Sequence, residues 1–295
     1  MNYKLQNDRL SVTISSLGAE LVSAVGEDGF EYIWQNPTGE FWGGHAPLLF
    51  PHCGRILNSE YTYGGEGYEM GIHGFARKME FELVSQDNNS LVLSLKSNEE
   101  TKKIYPFEFE LIAEYRIAGN LLFAYFTVQN NDKNVLPYMF GWHPGFNLDD
   151  KNGAKTEDFY VEFDGVSECL CYPLQNGGFV APDAYTYSLP NGKYQLSEEE
   201  NAREGTMIFV GTGSRAKLIS PKSEHGVSLS YFDNLPYFCI WKWESADAKY
   251  ICLEPWSDVP GDGIEPENFD TKKMSRLPTG EFEIYGYKVH FWKLF

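Results

Sequence analysis

Phe107-Glu-Phe-Glu-Leu-Ile-Ala-Glu-Tyr115, running through Arg116-Ile-Ala-Gly-Asn120 into Leu121-Leu-Phe-Ala-Tyr-Phe-Thr-Val128, decides the fold. Phe107, Phe109, Leu111 and Tyr115 alternate with Glu108, Glu110 and Glu114. That period of two sends successive side chains to opposite faces of a strand. Gly119-Asn120 then supplies a tight turn, so the stretch is a β-hairpin. Outward from it, residues 81–85 and 91–95 flank the turn-rich 86–90, with Leu91, Leu93 and Leu95 on one face, and form a second hairpin. The same pattern recurs at 159–163, 207–210, 227–231, 238–243, 250–253 and 283–291.

Helical signals are few. Ser197 with Glu200 reads as a capping box, and Gly205 stops that helix within about two turns. The expectation is an all-β protein, a sandwich of two large antiparallel sheets with very little helix. An aromatic content of 16% suits such sheets. No fixed-period repeat supports a propeller. With 295 residues, 42% hydrophobic content and no linker, residues 1–295 are expected to form a single domain.

A formal charge of -18 sets a repulsive field against nucleic acid and anionic lipid. A small or neutral partner is expected, with no nucleic acid and no membrane, for a monomer or homodimer. The cysteines Cys53, Cys169, Cys171, Cys239 and Cys252 are odd in number and sit mostly among apolar neighbours, which predicts reduced thiols in a cytoplasmic protein. Cys169 and Cys171 share a strand face, but no second pair completes a zinc site. Residues 1–15 carry no basic region followed by an apolar run, and no stretch approaches the length of a membrane span.

Four segments carry candidate chemistry. In Tyr138-Met-Phe-Gly-Trp-His-Pro-Gly-Phe146 an aromatic strand meets a His-Pro step, which predicts a strand end with His143 presented at its rim and Trp142 and Phe146 as flat surfaces for a sugar ring. Imidazole both gives and takes a proton near neutral pH, although a packing histidine fits the segment too. In Leu49-Phe-Pro-His-Cys-Gly-Arg-Ile56 the chain breaks before Arg55, whose donors suit hydroxyls, a carboxylate or a phosphate, or a structural salt bridge. In Gly71-Ile-His-Gly-Phe-Ala-Arg77 glycines flank His73, leaving the backbone free to press that ring on a ligand, with Arg77 four residues on; an incidental loop histidine and a surface charge are the alternatives. In Tyr250-Ile-Cys-Leu-Glu-Pro-Trp256 an apolar strand ends on Glu254 beside Trp256. Desolvation there raises the carboxyl pKa as a general base requires; an exposed strand-end Glu is the alternative. His143 and Glu254, each followed by proline, form a candidate acid/base pair.

In this order these motifs resemble the aldose 1-epimerase (galactose mutarotase-like) superfamily, and within it the LacX-like branch: Phe50-Pro with Gly-Arg55, His73-Gly-Phe-Ala-Arg77, His143-Pro-Gly-Phe146 and Glu254-Pro-Trp256. The resemblance covers essentially the whole chain. It implies a large antiparallel β-supersandwich with an open cleft for a hexose, and an isomerase that interconverts α and β anomers through ring opening. By that similarity His143 is the general acid on the ring oxygen, Glu254 the general base on the anomeric hydroxyl, and Arg55, His73, Arg77 and Trp256 the substrate-binding groups; no metal or organic cofactor is needed. For the additional sugar-gripping Asp of the family, Asp233 is a candidate. Where mutarotases often present a Gln, this chain has Pro236-Tyr-Phe-Cys239.

Four alternatives stand beside this reading. The string ending at Arg77 also resembles the hexose-6-phosphate epimerase branch, whose arginines hold a phosphate; the acidic chain opposes an anionic substrate unless Arg55 and Arg77 make a local positive pocket. A non-catalytic sugar-binding module needs no acid/base pair, and a glycoside hydrolase needs two opposed carboxylates where one is found. A cupin-like metal site would draw on His45, His52, His73 and His143, which lack close His-x-His spacing.

Overall fold

A computed structural model describes residues 1–149, 151–175 and 177–294. Two large antiparallel sheets dominate it. The nine-stranded sheet runs in the order Lys193–Gln195, Tyr160–Phe163, Arg215–Ile219, His225–Tyr231, Phe282–Lys293, Leu121–Asn130, Phe109–Ala118, Ser90–Lys96, Glu82–Gln86. Beside its central strand, Phe282–Lys293, lies the hairpin read from the sequence: Leu121 pairs with Ala118 and Asn130 with Phe109 across a turn in which Gly119 has φ 58°. Along Leu121–Asn130 burial alternates residue by residue, so Leu122, Ala124, Phe126 and Val128 enter the core. The second hairpin is also present, with a register shift between Leu83 and Ser85.

The second sheet follows the order Tyr185–Ser188, Glu168–Tyr172, Thr206–Val210, Tyr237–Trp241, Tyr250–Trp256, Gly141–Trp142, Leu48–Leu49, with Gly145–Asn147 also on Tyr250–Trp256. Every residue of Tyr250–Trp256 is buried. That is the burial expected of a central strand covered on both faces. A continuous apolar core joins the sheets from Leu5 to Phe291. All five cysteines are free and buried, and Cys169 and Cys171 do share a face.

Helix is confined to short segments. Glu198–Glu204 is capped by Ser197, which accepts from the Glu200 N–H, and ends at Gly205 with φ 72°. The expected reciprocal bond is replaced by one from Tyr187, whose hydroxyl donates to the Glu200 carboxylate at 2.9 Å. A second helix, Glu99–Ile104, carries a full capping box between Asn98 and Thr101 that was not anticipated from the sequence. Among the described residues no helix is long and apolar enough to cross a membrane.

Candidate active site

A cavity of about 600 Å³ opens on the second sheet, within the range of small-molecule sites. Its wall includes Arg55, His73, Arg77, His143, Glu254 and Trp256 from the four motifs, but not Trp142 or Phe146.

His143 and Glu254 meet because two X-Pro steps face each other. The strand Gly141–Trp142 pairs with Trp256 and then stops at His143-Pro144; pairing resumes at Gly145, opposite Cys252. Leu253 and Ser257 send their N–H groups to that side, to Pro144 O and Phe140 O. By the two-residue period the position between them, Pro255, turns its missing N–H towards the gap opened at His143-Pro144, so no ladder bond is forfeited there. The expectation that Glu254 closes its strand is therefore corrected: the strand continues through Pro255 to Trp256, with Glu254 opposite Cys239.

His143 sits at the strand end as expected but is not presented to solvent; it is 6% exposed, because Trp42 lies over it with ring centroids 4.9 Å apart and Trp241 meets it edge-on. Trp142 and Phe146 are wholly buried and unavailable to a sugar; the Trp142 indole donates to Ala46 O in the core. The aromatic surfaces facing the cavity are instead Trp42, Trp241, Trp243 and Trp256.

His143 Nε2 lies 3.3 Å from Glu254 Oε1. Among the described residues neither oxygen of Glu254 nor His143 Nδ1 finds a hydrogen-bond partner. Burial drives the Glu254 carboxyl well above the usual carboxylate range; the Trp256 indole opposes that shift without closing a hydrogen bond. Burial also pulls the His143 imidazole down to about 3, with Arg77 adding to the effect. Burial thus favours the uncharged form of each group, a protonated carboxyl beside a neutral imidazole.

His73 is fixed by its backbone, which takes φ 64°. Its N–H donates to Gly54 O at 2.8 Å, and its Nδ1 accepts from the Gly54 N–H at 3.0 Å. Nδ1 is therefore the acceptor and Nε2 carries the proton, leaving one ring donor for a ligand. The loop holding it docks through Gly74, whose neighbours Phe75 and Ala76 both donate to Phe50 O. A Cβ on Gly74 would stand 2.1 Å from that carbonyl oxygen, at a φ of +70°.

Arg77 is half-buried and spends one N–H on Ile72 O at 3.1 Å, while its Nε is buried with no partner among the described residues. Arg55 is exposed in the cavity and makes no side-chain hydrogen bond or ion pair among the described residues; Gly178, with φ 116°, lets its side chain lie close, since a Cβ there would be 2.9 Å from Arg55 Nε. The helix Glu198–Glu204 supplies Ala202 and Arg203 to the wall and is anchored by buried Lys242, which grips both Glu198 oxygens at 3.0 Å. Among the described lining residues Glu254 is the only acid, against Arg55, Arg77 and Arg203.

The remaining candidates lie elsewhere. Asp233 is exposed and does not line the cavity. His45 Nδ1 pairs with Trp34 O at 2.6 Å and His52 Nε2 with Glu267 at 3.0 Å, so the histidines of the cupin-like alternative are not gathered, although the His73 and His143 ring centroids stand 5.4 Å apart. Trp42, Trp241, Trp243 and Arg203 were missed in the sequence, where no spacing distinguishes them from other aromatic or charged residues.

Comparison with known proteins agrees with this geometry. The sequence profile of the family described as aldose 1-epimerase matches residues 1–265. The chromosomal protein LacX of Lactococcus lactis subsp. lactis is 34% identical over 267 residues, covering 88% of each chain. A solved galactose mutarotase related enzyme from Lactobacillus acidophilus superposes with a TM-score of 0.92 at 31% identity, covering 99% of this chain and 97% of that one. A galactose mutarotase-like protein from Lactobacillus casei gives 0.90 at 28% identity, covering 99% and 100%. A cavity walled by the motif residues, on a supersandwich shared with these proteins, leaves one conclusion: the chain belongs to the aldose 1-epimerase family of carbohydrate isomerases.

Proposed function

We propose that this protein is an aldose 1-epimerase that interconverts the α and β anomers of a hexose, with His143 and Glu254 as its acid/base pair. The observation that carries the reading is the buried, unsatisfied pair 3.3 Å apart at the cavity wall. Ring opening moves one proton from the anomeric hydroxyl to the ring oxygen, and a pair holding a single proton suits that transfer. In the opening direction Glu254 takes the anomeric proton and His143 protonates the ring oxygen. The required carboxylate and imidazolium arise from the resting pair when its proton crosses from Glu254 to His143. Rotation about C1–C2 and closure with the roles reversed give the other anomer. His73 Nε2–H and the unspent donors of Arg55 and Arg77 hold hydroxyls, and Trp256 contributes an apolar face. The names of the Lactobacillus structures support a hexose of the galactose type.

A second reading, a hexose 6-phosphate, is favoured by one observation: among the described residues three arginines and one acid, whose carboxyl burial pushes towards its neutral form, line the cavity of an otherwise acidic protein. Polarimetry on freshly dissolved aldoses and aldose 6-phosphates tests both. We expect free hexose to be turned over, and Arg77→Ala to lower its rate by about tenfold or less, the effect of losing a hydrogen bond worth about 0.5–1.5 kcal/mol to a neutral hydroxyl. A wild-type preference for the 6-phosphate that Arg77→Ala abolishes would replace the neutral substrate with the phosphorylated one, because a charge-assisted contact is then deleted.

A further inference from the structure

Beneath the sugar cavity the strand Tyr250–Trp256 places a third group beside the acid/base pair. Cys252 precedes Glu254 by two residues and so shares its face of the strand. Its thiol is free, has no solvent exposure and packs with Trp34, Tyr250 and Trp42. Ligand atoms of His143, Cys252 and Glu254 all lie within 4.8 Å of one another. The proton transfer proposed above makes no use of the thiol.

We propose that His143, Cys252 and Glu254 form an inhibitory binding site for a thiophilic divalent cation of the zinc class. The set is one imidazole nitrogen, one sulfur and one carboxylate oxygen, donors that zinc takes together while leaving a fourth position open. Two ligands at about 2.0–2.1 Å from a tetrahedral ion stand about 3.3 Å apart. That is the separation of His143 Nε2 and Glu254 Oε1, 3.3 Å, while Cys252 Sγ, within 4.8 Å of both, must close to about 3.6 Å to ligate. A carboxylate with both oxygens buried and unpartnered is a further pointer to a missing ligand. Coordination of one divalent ion sends the thiol and carboxyl protons to solvent, so the buried site keeps its net charge. His143 and Glu254 line the cavity, so a fourth ligand, water or a sugar hydroxyl, would reach the ion from that side. Inhibition follows because the ion occupies the nitrogen lone pair and the carboxylate between which the proton must pass; this part rests on the acid/base reading, whereas binding itself does not.

The test is titration of the chelator-treated protein with Co²⁺, a spectroscopic stand-in for zinc, followed by Zn²⁺ inhibition of anomerisation. Expected are a thiolate-to-cobalt charge-transfer band in the near ultraviolet and tetrahedral d–d bands in the visible, saturating at one equivalent. Both should be lost in Cys252→Ser and in Cys252→Ala. Each cysteine variant should keep its basal anomerisation, and its half-inhibiting Zn²⁺ concentration should rise at least tenfold. Absence of the sulfur band in the wild-type protein, or an unchanged band in folded Cys252→Ser, overturns the site. Activation by Zn²⁺ in place of inhibition overturns the inhibitory role. Should the cobalt bands appear in a protein that accelerates no anomerisation, the ion site stands and the acid/base reading fails; should anomerisation proceed without the bands, the acid/base reading stands and the ion site fails.

Discussion

Glu254→Gln and His143→Asn should each lower the anomerisation rate by about 10²–10⁴-fold while leaving the far-ultraviolet circular dichroism of the native protein intact. General acid/base groups supply effects of that size, and each substitution removes one end of the single-proton pair without changing side-chain volume greatly. For Glu254→Gln a second signature follows from burial. The carboxyl keeps its proton in the native state well above 4.5, whereas the unfolded chain releases it near that value. The raised native pKa favours the fold below pH 4.5, and this contribution is lost as pH rises towards the native pKa. Glutamine does not titrate, so Glu254→Gln should melt at a temperature equal to or higher than wild type at pH 8, with the gap closing towards pH 4.5. Near-normal turnover in either folded variant, or a strong loss of stability in Glu254→Gln at pH 8, would contradict the assignment.

Gly74→Ala should cost about 2–5 kcal/mol of stability and abolish activity in whatever fraction folds. A left-handed backbone costs a non-glycine residue about 1–2 kcal/mol, and forcing atoms into a packed site adds typically 1–3 kcal/mol. Here the added Cβ would meet the Phe50 carbonyl oxygen at 2.1 Å, and that oxygen already accepts from Phe75 and Ala76. Backbone cannot rotate aside as a side chain does, so the loop must lift and take His73 and Arg77 with it. Chemical denaturation measures the first effect, and a variant within about 1 kcal/mol of wild type would show that the loop accommodates the methyl group.

Most of the sheet was legible because burial in these strands alternates with the same period as their hydrophobicity. Phe109–Ala118 and Leu121–Asn130 could be placed to within a residue or two from that period and from Gly119. Leu48–Leu49 and Gly141–Trp142 were legible only as strand ends before Pro51 and His143-Pro144, and not in their bounds, since a two-residue strand carries no period to detect. The four site motifs were legible for a different reason: glycine and proline mark where backbone departs from the ladder, and functional side chains cluster at such breaks. The same reasoning misplaced Glu254. Proline reads locally as a strand terminator, yet Pro255 is tolerated because the neighbouring strand breaks at His143-Pro144, a circumstance no local window contains. The burial of His143 depends likewise on Trp42 folding over it from a distant loop, and the loss of Trp142 to the core on which face of a two-residue strand meets Ala46. Pairing between segments remote in the chain decided each of these.

Anomeric exchange spectroscopy by NMR on a hexose at equilibrium tests the acid/base assignment most directly, because magnetisation transfer between the α and β C1–H signals reports the interconversion rate itself. Catalytic amounts of the wild-type protein should raise that rate well above the spontaneous one for at least one free hexose, with the anomeric ratio unchanged, and Glu254→Gln should not. Exchange at the spontaneous rate across a panel of hexoses and hexose 6-phosphates, with the folded wild-type protein present, would contradict it.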